Sequence, residues 1–377
     1  MYSNHIKLNR KKIVFFLGVI ISIVCLWLFI RGIEWSLLKN ALKDANYWPI
    51  IPTIILNILF FVARAIRWQG LISHIKTIPT VSLLSITCIG FMANNILPAR
   101  VGEVLRPFLL YKKENIRFST SVATVIVERI FDLLALIIFT VVVIALLPHP
   151  SPNSFDTSFQ ISTSTVNTTG EPIVHSLKKW IVVFAFAGVL TIASLFFVII
   201  NPDSFKKVLS RLCLFLPEKY KDSILGFYDS FVYGLKILEK KVQTLWIFTL
   251  SLIIWIISAG EIYILSFSFN IHLPFVAACL IATCLALAVA LPQAPGYIGV
   301  FHIAILKSLN IFGIQSAAAQ SYAIVLWLIS ILPSTVMGLL FLWREGISFR
   351  EVVKLEEEIV DGRLEELEGI PKNTNDT

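Results

Sequence analysis

Hydrophobic residues occupy most of this chain in long runs that short polar segments separate. Six of these runs reach the roughly 17 to 25 residues that an α-helix needs to cross the hydrocarbon core of a bilayer: 13–30, 47–63, 121–147, 180–200, 243–269 and 316–343. Only helices and closed barrels satisfy their backbone groups in lipid. The pattern therefore predicts an all-α polytopic membrane protein with about six full spans.

Two further apolar stretches contain residues that interrupt a helix. The stretch 81–111 includes NNILPARVGEVLR, and the stretch 273–306 includes ALPQAPGYIGVFH. The breaking residues are Pro98 and Gly102 in the first stretch, and Pro292, Pro295, Gly296 and Gly299 in the second. Irregular backbone at membrane depth is tolerated only where protein or water covers it. Each stretch therefore predicts a broken or re-entrant helical hairpin.

The positive charges orient these hairpins. Arg64, Arg67 and Lys76 precede the first hairpin, while Lys112 and Lys113 follow it. Because cytoplasmic loops carry the excess of Lys and Arg, the first hairpin is expected to enter from the inside and the second from the outside. This is the pattern of an inverted-topology repeat, in which paired broken helices frame a substrate site near the midplane. Two unrelated kinked helices are the alternative.

The same rule organises the rest of the chain. Residues 1–343 form the predicted integral membrane domain, with both termini in the cytoplasm of a cell-membrane protein. The loop 148–178, rich in Ser, Thr, Asn and Pro, is expected outside. The segment 203–241 predicts a cytoplasmic insert of two amphipathic helices on the membrane surface. Residues 344–377 form a short acidic cytoplasmic tail.

Composition excludes several classes of function. Hydrophobic residues make up 56% of the chain and charged residues 15%, which leaves too little charge for the surface of a soluble domain. The net charge of +8 lies in the loops that topology requires, so no nucleic-acid partner is expected. The five cysteines are interpreted as small core residues, and neither a metal nor a cofactor is predicted. The sequence contains no familiar catalytic motif, so an enzyme is not expected.

Three charged residues interrupt the apolar run 121–147. The sequence ERIFD places Glu128, Arg129 and Asp132 within this run. A charge at the centre of a membrane helix costs at least about 2.5 to 3.5 kcal/mol on insertion scales, so such residues normally face partners or a water-filled cavity. Glu128 and Asp132 are four residues apart and share a helix face.

The first hairpin offers partners for these charges. Arg100 and Arg106 are the expected partners of the acids, and Glu103 is expected opposite Arg129. Two roles stay open: an ion-pair network that docks the hairpin, or a path for a charged lipid headgroup.

Other polar residues near the spans have simpler interpretations. Arg64 and Arg67 are expected to anchor a cytoplasmic helix end by snorkelling, with contact to phosphates as the alternative. Trp48 and Trp68 are expected at the membrane interface. Glu261 is a further acid within a span whose role stays open.

Three stretches together resemble the lysylphosphatidylglycerol synthase transmembrane-region family of flippase-like membrane proteins. They are NNILPARVGEVLRPFLL, ATVIVERIFDLLAL and LPQAPGYIGVFHIAIL, and the resemblance extends over about residues 10 to 343. It implies lipid handling, since bifunctional members are implicated in moving aminoacylated phosphatidylglycerol between leaflets, and other relatives accompany glycosyltransferases. This chain resembles a stand-alone member without the synthase domain.

The resemblance also implies functional residues. The matching positions are Asn95, Pro98, Arg100, Gly102, Glu103 and Arg106 in the first motif, Glu128, Arg129 and Asp132 in the second, and Pro295, Gly296 and Gly299 in the third. This chain has His302 where the family commonly has an acid, which argues against a cationic aminoacyl-lipid substrate. His302 is expected either as a hydrogen-bonding core residue or as a headgroup contact.

The expected function is binding, and translocation between leaflets, of a phospholipid or a polyprenyl-phosphate-linked lipid. The expected substrate-binding residues are Asn95, Arg100, Glu103, Arg106, Glu128, Arg129, Asp132 and His302. The alternative is a non-transporting membrane partner that presents a lipid to a separate synthase or glycosyltransferase. A third hypothesis, an integral-membrane transferase, requires an activity without a familiar motif.

Overall fold

The computed structural model describes residues 20–33, 35–97, 100–146, 202–212, 218–290 and 294–360. This part of the chain is helical and contains no β-strand. Two of the predicted breaking residues, Pro98 and Pro292, lie outside the described residues, as do the predicted external loop 148–178 and the predicted span 180–200.

Thirteen helices are described in chain order, together with short 3₁₀ turns. They are α1 Ile20–Arg31, α2 Trp35–Lys43, α3 Ile50–Ile72, α4 Thr80–Ile96, α5 Gly102–Glu114, α6 Phe118–Leu146, α7 Pro202–Leu212, α8 Glu218–Leu235, α9 Lys241–Ser266, α10 Phe275–Ala290, α11 Val300–Ile311, α12 Ser316–Glu345 and α13 Phe349–Val360.

The long helices confirm an α-helical membrane protein. Within the described ranges, three segments are long and apolar enough to cross a membrane: α3, α9 with its 3₁₀ extension to Phe269, and α12. The count rises to four if α1 and α2, which are bent by 84° relative to each other, form one span. Helix α6, of 29 residues, covers the predicted span 121–147 except for its last residue. The predicted total of about six spans stays a prediction.

The chain divides into two compact units. The first consists of Met1–Ala63, Asp132–Ile192 and Phe248–Pro333, and the second of Arg64–Phe131, Ala193–Ile247 and Ser334–Thr377. Each unit contains one of the interrupted stretches: the second unit holds α4 and α5, and the first holds α10 and α11.

Helices α4 and α5 form a tight hairpin in the second unit. Helix α4 ends at Ile96, and the Asn94 Oδ1 atom accepts a hydrogen bond of 2.8 Å from the backbone nitrogen of Gly102, the first residue of α5. A Cβ atom on Gly102 would overlap the carbonyl oxygen of Gly90, and one on Gly90 would lie 2.5 Å from Arg106 Cγ. Glycine at both positions therefore lets α5 lie directly against α4.

The second interrupted stretch, in the first unit, has a different break. Between α10 and α11, a 3₁₀ turn covers Pro295–Tyr297, and Gly296 and Gly299 have positive φ angles of 67° and 86°. The Ala294 nitrogen donates to Ser22 Oγ at 2.7 Å, and Trp327 Nε1 donates to the Gly296 carbonyl at 2.7 Å. These bonds satisfy backbone groups that the break exposes. Whether either hairpin is re-entrant stays a prediction.

The predicted insert contains two helices, α7 and α8. Lys206 Nζ of α7 lies 2.7 Å from Asp229 Oδ1 of α8, and the rings of Phe205 and Tyr228 stack with centroids 5.6 Å apart. Their position on a membrane surface stays a prediction.

Candidate functional site

Glu128 is the centre of a buried cluster of charged side chains in the second unit. Its Oε1 accepts hydrogen bonds from Arg64 Nη1 at 3.1 Å and Arg67 Nη2 at 2.9 Å, and its Oε2 accepts one from Arg106 Nη2 at 2.8 Å. The Glu128 side chain is completely buried. Burial of a carboxylate is tolerable only with paired charges and hydrogen bonds, and here three guanidinium groups supply both. We call these four side chains the Glu128 cluster.

Helix α3 contributes two of the three arginines. Arg64 and Arg67 lie three residues apart, so they share a face of α3, and both residues are buried. The interpretation of these residues as snorkelling anchors is wrong, because each guanidinium points to a carboxylate inside the protein. Their spacing of three residues is a signal that both side chains share a helix face, but basic residues at the end of an apolar run usually mark a cytoplasmic boundary.

Helix α5 contributes Arg106, whose side chain packs against α4 at Gly90. The Arg106 guanidinium carbon lies 4.3 Å from the ring centroid of Trp68, within the range of a cation–π contact. Trp68 is fully buried and its Nε1 donates to Thr124 Oγ1 at 3.0 Å, so the expectation of an interfacial Trp68 is wrong.

Arg106 has donors that the described residues do not use. The residue is 2% exposed, and its Nε and Nη1 atoms are buried without a hydrogen-bond partner in the described part of the chain. Only Nη2 is occupied, by Glu128.

A second ion pair lies beside the cluster. Arg129 Nη2 is 3.2 Å from Glu103 Oε1, and the two side chains are 37% and 39% exposed. Glu103 precedes Arg106 by about one turn of α5, and Arg129 follows Glu128 on α6. The predicted pairings of Arg106 with Glu128 and of Glu103 with Arg129 are therefore present. Charged groups extend from the buried cluster to a half-exposed rim.

Arg100 and Asn95 lie elsewhere on the hairpin. The three arginines that donate to Glu128 are Arg64, Arg67 and Arg106, and the pairing of Arg100 with one of the acids stays a prediction. Arg100 lies in the turn before α5 with a φ of 54°. Asn95 Nδ2 donates to Ser334 Oγ and Thr335 Oγ1, both at 3.0 Å, and so ties α4 to α12.

The last two expected site residues belong to the first unit. Asp132 is buried one turn after Glu128 along α6. His302 is also buried, with its ring centroid 4.9 Å from that of Phe29 and 5.3 Å from that of Trp327. Its Nδ1 is buried without a hydrogen-bond partner among the described residues, so the choice between a hydrogen-bonding core residue and a headgroup contact stays open.

The model of the lysylphosphatidylglycerol synthase TM region family matches residues 15–338. The chain belongs to this family. The matched region contains both hairpins and every residue of the Glu128 cluster, so the cluster lies within the part that defines membership.

Two relatives are matched over most of their own length. A UPF0104 membrane protein of Methanocaldococcus jannaschii is 27% identical over 245 residues, which are 65% of this chain and 90% of the relative. A second UPF0104 membrane protein of that organism is 22% identical over 340 residues, 88% of this chain and 94% of the relative.

A third similarity is shorter. The glycosyltransferase AglD of Haloferax volcanii is 23% identical over 127 residues, which are 33% of this family member and 20% of AglD. These matches are consistent with a membrane protein of the family.

Proposed function

We propose that this chain binds the anionic headgroup of a phospholipid or polyprenyl-phosphate-linked lipid at the Glu128 cluster and moves the lipid between leaflets. The observation that carries the proposal is Arg106, a buried arginine with Nε and Nη1 unused among the described residues. A buried donor without a partner costs about 1 to 3 kcal/mol, and more when it is charged. A phosphate oxygen would remove this cost.

Arginine is well suited to such a ligand. Its planar guanidinium presents donors in a fixed fork that matches two phosphate oxygens, and its charge is permanent. In the low dielectric of a buried site, this attraction is stronger than in water. Glu128 would order the three guanidinium groups by accepting one hydrogen bond from each of them.

In this proposal, the Arg129–Glu103 pair would be the first contact of the headgroup on its way to the buried arginine. Both side chains are partly exposed, and Glu103 lies on the same helix as Arg106. A headgroup phosphate can compete with Glu103 for Arg129 at the rim and then reach the cluster. The lipid tails would stay in the bilayer.

The arrangement of the helices in the membrane is proposed from the sequence. The two hairpins would form an inverted repeat in the cell membrane, with both termini cytoplasmic, and about six full spans would surround them. The family name and the membrane-protein relatives support a membrane lipid as the ligand.

Lipid exchange in proteoliposomes tests the assignment. Arg106→Gln removes the charge and the guanidinium fork but keeps a polar side chain, and we expect it to slow the exchange of a fluorescent anionic phospholipid by about 10-fold or more. The matched control is Arg211→Gln, which removes an exposed arginine of α7 and should leave exchange unchanged. Equal exchange in both variants, at equal folding, would refute the role of Arg106.

The alternative function is presentation of a lipid to a separate enzyme without transport. The similarity to the glycosyltransferase AglD over 127 residues favours it. The same variants separate the two functions. A wild-type chain that retains anionic lipid through Arg106 but never exchanges it is a lipid-presenting protein, and exchange above that of empty liposomes identifies a translocator.

A further inference from the structure

Glu261 is a second buried carboxylate, in the first unit, and its surroundings differ from those of Glu128. It lies on α9 and is 7% exposed. Among the described residues, its one hydrogen bond comes from Asn57 on α3, whose Nδ2 donates to Glu261 Oε2 at 3.4 Å. Helices α3 and α9 are close at this level, since a Cβ on Gly260 would lie 3.3 Å from Leu56 Cδ1.

No cation neutralises Glu261 in the described ranges. No nitrogen of a described Lys, Arg or His lies within 4.0 Å of its carboxylate, whereas Glu128 has three arginines at this distance. Tyr322 of α12 is close enough to interact electrostatically with Glu261, and its hydroxyl already donates to the Ile262 carbonyl at 2.6 Å. The aliphatic and aromatic residues of the first unit's core surround this region.

One hydrogen-bond donor is missing between Glu261 and Asn57 in the described part of the chain. Glu261 Oε1 and Asn57 Oδ1 are both buried without a partner among the described residues, and both are acceptors when the acid is ionised. A proton on Oε1 converts that oxygen into a donor. The acid and the amide can then form a cyclic pair, with the acid hydroxyl donating to Asn57 Oδ1 and Asn57 Nδ2 donating to Oε2.

We propose that Glu261 and Asn57 form a proton-binding site within the membrane domain. The carboxylate binds one proton from solvent to become a neutral acid and releases one proton to solvent when it ionises, so no other reactant is involved. Burying an ionised side chain in a span costs free energy unless a partner compensates its charge. Here a bound proton would neutralise the carboxylate. Coupling of this proton to lipid movement rests on the proposed function.

Infrared spectroscopy of the full chain in lipid nanodiscs measures the site directly. Difference spectra between acidic and alkaline pH should show a carboxylic-acid carbonyl band that disappears on alkalinisation. Glu261→Gln should remove this band, while Glu239→Gln, which replaces an exposed acid, should keep it. Asn57→Ala keeps the acid and should shift the frequency of the band, because the acid loses its amide partner.

Three results would overturn the proposal. A spectrum without a band that depends on Glu261 would show that the residue stays ionised. A Glu261 band that persists at every pH would show a permanently neutral core residue. A band that sodium ions abolish at constant pH would identify a cation site.

Lipid exchange then tests the coupling separately. With an imposed pH gradient, the wild-type chain should exchange lipid at a rate that changes with the sign of the gradient, and Glu261→Gln should lose this dependence. Absence of exchange at any pH would remove the proposed function but leave the infrared result standing. An exchange rate that does not depend on the gradient, together with a Glu261 band that titrates, would refute only the coupling.

Discussion

At the scale of single residues, neighbouring groups decide the charge of a buried acid. Glu128 has three guanidinium groups within 3.1 Å, whereas Glu261 has an amide nitrogen at 3.4 Å. Ion pairing favours a carboxylate, and burial without a cation favours the neutral acid. Two buried acids on apolar helices can therefore serve different roles, a permanent electrostatic one at Glu128 and, as proposed, exchangeable proton binding at Glu261.

The Glu128 cluster should depend strongly on its single carboxylate. Glu128→Gln leaves three buried guanidinium groups around a neutral amide, and loss of one partner from a buried ion pair typically costs about 3 to 5 kcal/mol. We expect a lower melting temperature of the detergent-solubilised protein. Glu239→Gln, at an exposed position, is the control and should melt like the wild type. Equal melting of Glu128→Gln and the wild type would show that the cluster does not stabilise the fold.

The pairing partners of Glu128 were only partly predictable from sequence. Arg106 was expected because it lies just after the Pro and Gly residues of a break, whereas Arg64 and Arg67 fall at the end of an apolar run. Basic residues at that position usually mark a cytoplasmic boundary. Their burial depends on how α3 packs in the second unit, which no local pattern encodes.

At the scale of helices, the hairpin of α4 and α5 depends on close approach at two glycines. Gly102 is predicted as a breaking residue. Gly90 lies within an apolar segment that contains no other helix-breaking residue. Its role appears only when α5 lies across it, with Arg106 Cγ at 2.5 Å from the position of an added Cβ. Sequence therefore predicted where the hairpin breaks but not the contact that holds its two helices together.

A methyl group at Gly102 should push the hairpin apart. Gly102→Ala places a Cβ against the Gly90 carbonyl, which is backbone and cannot rotate away. Overpacking of this kind typically costs about 1 to 3 kcal/mol, so we expect a lower melting temperature. We also expect slower lipid exchange, because Arg106 would move with α5.

Gly226→Ala is the matched control for this substitution. Gly226 lies in α8, and an added Cβ there meets no atom within 4 Å. Alanine is favoured over glycine in a helix by about 1 kcal/mol, so this variant should melt at the wild-type temperature or above it. Destabilisation by both substitutions would contradict an explanation based on the hairpin contact.

At the scale of the whole molecule, each compact unit contains one hairpin. The second unit holds α4 and α5, with Lys112 and Lys113 in the last turn of α5, and the first holds α10 and α11 without a basic residue in the last turn of α11. The charge rule predicts that these hairpins enter the bilayer from opposite sides. The residues that break them were predictable because Pro and Gly act locally, whereas the pairing of helices within each unit depends on contacts between distant segments.

Labelling from one side of the membrane tests the inverted arrangement. In a background without the native cysteines, Lys112→Cys and Gln315→Cys introduce thiols at exposed positions after the first and the second hairpin. An impermeant maleimide added to intact cells should label Gln315→Cys, and it should label Lys112→Cys only after permeabilisation. Because a hairpin that enters and leaves on the same side keeps both of its flanks there, Lys76→Cys should behave like Lys112→Cys. Labelling of Lys112→Cys and Gln315→Cys from the same side would contradict the inverted repeat, and opposite labelling of Lys76→Cys and Lys112→Cys would make the first hairpin a full crossing.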